Sequence, residues 1–248
     1  MPLNLTVSPD FTPDHISGWY IFNTWLQKAL DEQIHLELYD DFAAQRKAVM
    51  DDSIDLIYAN PYDAALLVRE KNFRPLVKPT NKVDEAIVAV QQDHAAQCVE
   101  DLQPGIRIAS TDDPDVHLMG MIMLEPADLD KENTERQVCD TYVLVAKELI
   151  RGGCEVGFFL DEAYQDLSNM VRSQLRPLVS SRIHIIHHAL MVGPRLAERH
   201  DEIQQLLIAM QADDKDRGVL ESLGLDGWEA VENEDMEFMI DLMDTLEG

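Results

Sequence analysis

The sequence predicts an α/β protein organised as two similar lobes. Strand-like and helix-like segments alternate along the 248 residues, as expected of sheets flanked by helices. The rhythm restarts near residue 91. An apolar content of 46% supports a packed core, in a chain long enough for one large domain or two small lobes.

Each element follows from local pattern. LNLTVSP (3–9) is a strand ending in Pro9, and GWYIFNTWLQKAL (18–30) has apolar residues at helical spacing behind a cap at Ser17. IHLELY (34–39) alternates as a strand does, and DFAAQRKAVMDD (41–52) is a helix capped by Asp40 or Asp41. IDLIYA (54–59) is a buried strand. PYDAALLVREKN (61–72) places Pro61 in a first helical turn, where proline is tolerated. RPLVKPT and EAIVAVQ follow as strands.

The second series runs GIRIAST (105–111, strand), DPDVHLMGMIMLE (113–125, helix) and PADLDKENTERQ (126–137, polar loop). It continues with TYVLVAKELIRGG (141–153, helix with a glycine stop), CEVGFFL (154–160, strand) and DEAYQDLSNMVRSQL (161–175, helix). RIHIIHHALMVG (182–193) is extended and apolar, and residues 194–214 form one long helix.

Charge and composition exclude several classes. A net charge of −27 argues against nucleic acid and anionic membranes, which need a basic footprint. No apolar run reaches the ~18 residues of a membrane span. No Lys or Arg follows Arg217, but apolar residues from Met236 to Met243 interleave with the acids there, as on a solvated helix face. Cys98, Cys139 and Cys154 are odd in number and widely spaced, so they give neither a disulfide framework nor a metal knuckle. Cys154 opens an apolar run as a buried free thiol, which suits a reducing compartment. With a strand already at residue 3, the expected location is cytoplasmic. Periplasmic is the alternative, if a signal peptide has been removed.

Ligands of open α/β sheets sit at the carboxyl ends of strands. The strand-to-helix turns to inspect are therefore Ser8–Asp14, Asp40–Phe42, Asn60–Asp63, Ser110–His117, Asp140–Tyr142 and Asp161–Tyr164.

At these turns the chain resembles a known family. LNLTVSPDFTP, LELYDDFAAQRKAVMDDSIDLIYANPYDAAL, EVGFFLDEAYQDL and LLIAMQADDKDRGVLESLGLDGW occur in the order found in the phosphate/phosphite/phosphonate-binding proteins of ABC importers. The resemblance implies the type 2 periplasmic binding fold: two α/β lobes joined by two crossover strands, EAIVAVQ and IHIIHHALMV. Lobe one is then 1–88 plus 189–248, and lobe two is 89–188. It implies hinge bending around a small molecule held in an interlobe cleft. It also implies Phe42 and Tyr62 with Asp63 as ligand contacts of lobe one. In lobe two it points to Tyr142 beside Thr141, and to Asp161 with Glu162.

The departure lies in STDDPDVHLMG (110–120). The family places a Ser-Thr-Ser-like cradle there for phosphoryl oxygens, whereas this chain has Asp113, Pro114 and Asp115. Two unit charges ~4 Å apart interact by roughly 4 kcal/mol at an effective dielectric of ~20, and Pro114 removes an N–H donor. A phosphate or phosphonate ligand is therefore not expected. Either Asp112 or Asp113 caps the helix while Asp115 favours its dipole, or Asp112, Asp113, Asp115 and His117 receive a cation such as an amine or a divalent metal, with Thr111 beside them as a ligand-contact candidate.

His184, His187 and His188 form a further group. Strand alternation puts His184 and His188 on one face and His187 on the other. Two histidines need a third ligand from elsewhere, so no metal is assigned, and His187 and His188 are kept as ligand-orienting candidates. Aromatics near strand ends together with the acids suit a cationic or amphipathic small molecule. No catalytic signature or cofactor motif is present. The expected function is a non-enzymatic solute-binding protein with a sensing or delivery role. The alternatives are a degenerate fold that docks a protein partner, and an enzyme of the thiamine-pyrimidine-synthase type that consumes one of these histidines.

Overall fold

The computed structural model describes residues 2–10, 15–231 and 233–247. The chain opens with β1 (Leu3–Val7), α1 (Ile16–Leu30), β2 (Ile34–Leu38), α2 (Phe42–Met50), β3 (Leu56–Ala59), α3 (Pro61–Lys71) and β4 (Arg74–Pro79). It continues through β5 (Ala86–Gln91), β6 (Arg107–Ser110), α4 (Pro114–Leu124), β7 (Glu135–Val138), α5 (Tyr142–Ile150), β8 (Val156–Leu160), α6 (Asp161–Asp166), α7 (Asn169–Arg172) and β9 (Leu175–Ser180). It ends with β10 (Ala189–Val192), α8 (His200–Ala209), α9 (Asp214–Ser222), β11 (Trp228–Ala230) and α10 (Asn233–Glu247).

These elements form two compact units: Met1–Val83 with Ile185–Gly248, and Asp84–His184. The divisions fall five residues earlier than 88/89 and four residues earlier than 188/189. The reason is pairing: β5 bonds to β8 and β9 along its whole length and so belongs to the second unit.

The first unit holds a sheet of order β11-β4-β10-β3-β1-β2. Its middle strands are apolar at every position because helices cover both faces. Leu56 and Tyr58 of β3 join Leu5, Val7, Phe22, Leu26 and Trp228 in one core. Ile57 and Ala59 face the other way, with Ala189, Met191 and Met239. The second unit holds the order β7-β6-β8-β5-β9. Here α4 crosses so near β8 that a Cβ on Gly120 would run into the Phe158 ring.

Five local expectations need correction. Helix α1 starts at Ile16 behind His15, not behind Ser17. Residues 126–137 are not all loop, since Glu135–Val138 form an edge strand exposed throughout, which therefore shows no apolar alternation. Residues 161–175 are not one helix: Leu167 is extended and the Ser168 side chain caps a new short helix. In 194–214, a 3₁₀ segment through Arg199 precedes α8. Only Ala189–Val192 of the 182–193 stretch is strand, and His184 has a left-handed φ of 60°, so the alternation argument for the histidines fails. Among the described residues, no helix is long and apolar enough to cross a membrane.

Candidate functional site

In the first unit, the ends of β1 and β3 lead into a polar cluster. Asp41 caps α2 by accepting the Ala44 N–H at 2.7 Å. One turn on, buried Gln45 donates to Val7 O at 2.7 Å and ties the helix to β1. Asn60 caps α3, its Oδ1 accepting the Asp63 N–H at 2.7 Å, with Pro61 following at the first helical position.

Phe42, Tyr62 and Asp63 do come together, but around Arg46. The guanidinium donates to both Asp63 oxygens, at 2.6 and 3.3 Å. It lies 5.5 Å from the Phe42 ring centroid and 4.9 Å from that of Tyr62. The rings thus engage a side chain of the protein itself. Burial pushes the Asp63 carboxyl above its ordinary range, and the Arg46 bonds only partly offset this.

The three histidines separate. His184 is exposed, and its backbone N–H donates to Glu85 at 2.8 Å in the second unit. His187 is buried, with Nδ1 3.0 Å from His188 O and Nε2 3.9 Å from Asp235. His188 Nε2 lies 2.9 Å from Asp10 Oδ2 and its ring stacks on Tyr58 at 5.1 Å. Burial raises the Asp10 pKa, but the His188 charge and hydrogen bond outweigh it, helped by Ser8, and leave the carboxyl below its ordinary value. Phe11–Asp14 of this turn lie outside the described residues.

In the second unit, β6 runs into α4 through the acidic turn. Asp113 is the cap: Oδ1 accepts the N–H groups of Asp115 at 3.0 Å and Val116 at 3.2 Å. Tyr142 donates its hydroxyl to Oδ2 at 2.9 Å, from a helix capped by Thr141. Asp115 is buried in the first turn of α4. Arg136 of β7 reaches along the neighbouring strand and donates to Ser110 Oγ at 2.8 Å and Thr111 O at 2.6 Å. Burial lowers its pKa against the pull of Asp112 and Asp113. Thr111 Oγ1 and His117 Nδ1 are buried without a hydrogen-bond partner among the described residues. Burial beside Arg136 pushes the His117 imidazole down to about 4, so it is neutral at pH 7.

Asp161 and Glu162 stand at the end of β8, the strand beside β6. Asp161 accepts from Gln165 at 3.2 Å, and Glu162 is exposed. Among the described residues, no group of three or more His, Cys, Asp or Glu side chains is arranged to hold a metal.

Arg46 and Arg136 lie outside the residues the sequence singles out, whereas Asp10 and Asn60 fall within the turns Ser8–Asp14 and Asn60–Asp63 without an assigned role. Arg46 was detectable in principle, four residues after Phe42 on one helix face. Arg136 was hidden because its segment has no strand pattern.

A family model described as ABC transporter, phosphonate, periplasmic substrate-binding protein matches residues 5–236. A search of curated protein sequences gave no significant match. Among solved structures, a Xanthomonas citri protein bound to chloride ion superposes with a TM-score of 0.84 at 13% identity, covering 99% of this chain and 97% of that one. PhnD1 of Prochlorococcus marinus in complex with methylphosphonate gives 0.82 at 12% identity, covering 99% and 98%. The periplasmic aliphatic sulphonate-binding protein SsuA of Escherichia coli gives 0.70 at 13%, covering 99% and 86%. These likenesses show the type 2 periplasmic binding fold. The relatives are periplasmic binding proteins, so the cytoplasmic expectation finds no support and the periplasmic alternative is favoured.

Proposed function

We propose, from the premise that this chain belongs to the periplasmic phosphonate-binding family of ABC transporters, that it is a non-enzymatic solute-binding protein whose ligand is not a phosphonate or phosphate. Its place of work is the periplasm, and its ligand is a small molecule with an amine or neutral polar group. One observation carries the reading. The donors that an oxyanion would need at the start of α4 already serve the Asp113 carboxylate: two backbone N–H groups and the Tyr142 hydroxyl.

Asp113 is thus the protein's own occupant of a helix N-terminus, where anions are favoured. A phosphonate dianion must displace it or sit against it. At ~4 Å and an effective dielectric of ~20, each pair of like unit charges costs roughly 4 kcal/mol, close to a thousandfold in affinity. Pro114 offers no replacement N–H. Arg136 offsets one negative charge of the turn, while Asp112, Asp113 and Asp115 supply three carboxyl groups.

Calorimetric titration with methylphosphonate tests this. The wild-type chain is expected to give no binding heat and no rise in melting temperature. Asp113→Ser removes the charge, frees the donors and is expected to gain measurable methylphosphonate binding. Saturable binding of methylphosphonate to the wild type overturns the reading.

A further inference from the structure

Three strand ends of the first unit meet at buried polar atoms that lack partners. Asn60 Nδ2 is buried without a hydrogen-bond partner among the described residues, and Ser8 Oγ and Asp10 Oδ1, which stand beside each other, are buried with no partner within 3.5 Å. Ser8 is 1% exposed and Asn60 0%. Buried polar groups without partners are rare in folded proteins, and each calls for an explanation.

Their positions follow from strand register. Val7 pairs with Tyr58, and Ala189 with Ala59. One residue further, Ser8 falls beside Ala59 and His188 beside Asn60, on strands about 4.8 Å apart. Asp10 is joined to His188 at 2.9 Å and has Ser8 beside it. The four side chains therefore gather at the carboxyl ends of β1 and β3, where open α/β sheets take ligands. The orientation of the Asn60 amide is determined: its oxygen accepts the Asp63 N–H, so the unpartnered end is the NH₂.

We propose that Ser8, Asp10, Asn60 and His188 form a seat for a group that carries a hydrogen-bond acceptor and a donor side by side, as the amino-carboxylate of an amino acid does. The Asn60 NH₂ and the Ser8 hydroxyl donate to the carboxylate. Asp10 Oδ1 accepts from the ammonium, while Oδ2 stays on His188. The Asp10 carboxylate attracts an ammonium and repels a second negative charge, so the seat favours a zwitterion over a dianion. The proposal rests on the solute-binding reading above and names a ligand class for it.

Melting temperature is measured with each of the common amino acids in turn, and any stabilising one is titrated by calorimetry. The expected result is a saturable rise with at least one of them. Asn60→Asp keeps the cap oxygen but replaces the donor, and it is expected to weaken that binding about tenfold or more. Ser8→Ala, which does not touch the cap, is expected to weaken it in the same direction. Absence of any amino-acid shift, as when the orphaned atoms only hold ordered water, overturns the seat. So does binding that both variants leave intact. The two readings fail separately, since a methylphosphonate shift in the wild type breaks the occupied turn at Asp113 without touching Asn60.

Discussion

The turns β3–α3 and β6–α4 share one construction and leave opposite chemistry behind. Each places a capping side chain before a proline at the first helical position: Asn60-Pro61 in one, Asp113-Pro114 in the other. Asn60 accepts one N–H and keeps an unpartnered donor. Asp113 accepts two N–H groups and a tyrosine hydroxyl. An amide can cap a helix and still offer a hydrogen bond, because its oxygen and nitrogen act independently. A carboxylate that caps with one oxygen and binds Tyr142 with the other closes the site on itself.

The largest expected difference between the turns comes one residue after the third helical position, where α4 has His117 and α3 has Ala64. The His117 pKa falls from 6.5 to about 4 on folding. Below pH 6.5 the unfolded chain therefore binds more protons than the folded one, and stability declines as pH drops from 6.5 towards 4, by about 3 kcal/mol in total. Above 6.5 this contribution is fully present. Urea unfolding of wild type and His117→Gln at pH 7 and pH 4.5 checks it. The variant is expected to lose less stability over that interval, and equal slopes would show that His117 titrates normally.

Removing the caps sharpens the comparison at the next level. Asp113→Ala orphans three donors and is expected to cost about 2 kcal/mol, whereas Asn60→Ala orphans one and costs about 1 kcal/mol. Chemical denaturation measures both, and equal losses would mean that the Tyr142 bond adds nothing. Tyr142→Phe isolates that bond. A loss of below about 1 kcal/mol is expected, because Tyr142 is only half-buried.

Much of the fold was legible because both sheets bury both faces. Continuous apolar runs such as 54–59 and 156–160 are then distinct from the amphipathic helices between them. What escaped was β7, an exposed edge strand with no apolar signal, and the break at Leu167–Ser168, which depends on one capping hydroxyl. The site divided similarly. Asp113 was readable as a helix cap from its place before Pro114, though a cation was equally open. Phe42, Tyr62 and Asp63 were placed together by resemblance, but their common partner Arg46 was not seen.

The sequence alone therefore determined the α/β layering and the wrong-signed charge at the second unit's turn, because both depend on residue type and short spacing. Tertiary structure decided which acids are already engaged. His188 meets Asp10 across 178 positions, and Tyr142 meets Asp113 across 29. Such pairings arise from sheet register and helix placement. They settle that Asp113 spends its oxygens within the protein, whereas Asn60 keeps a donor in reserve.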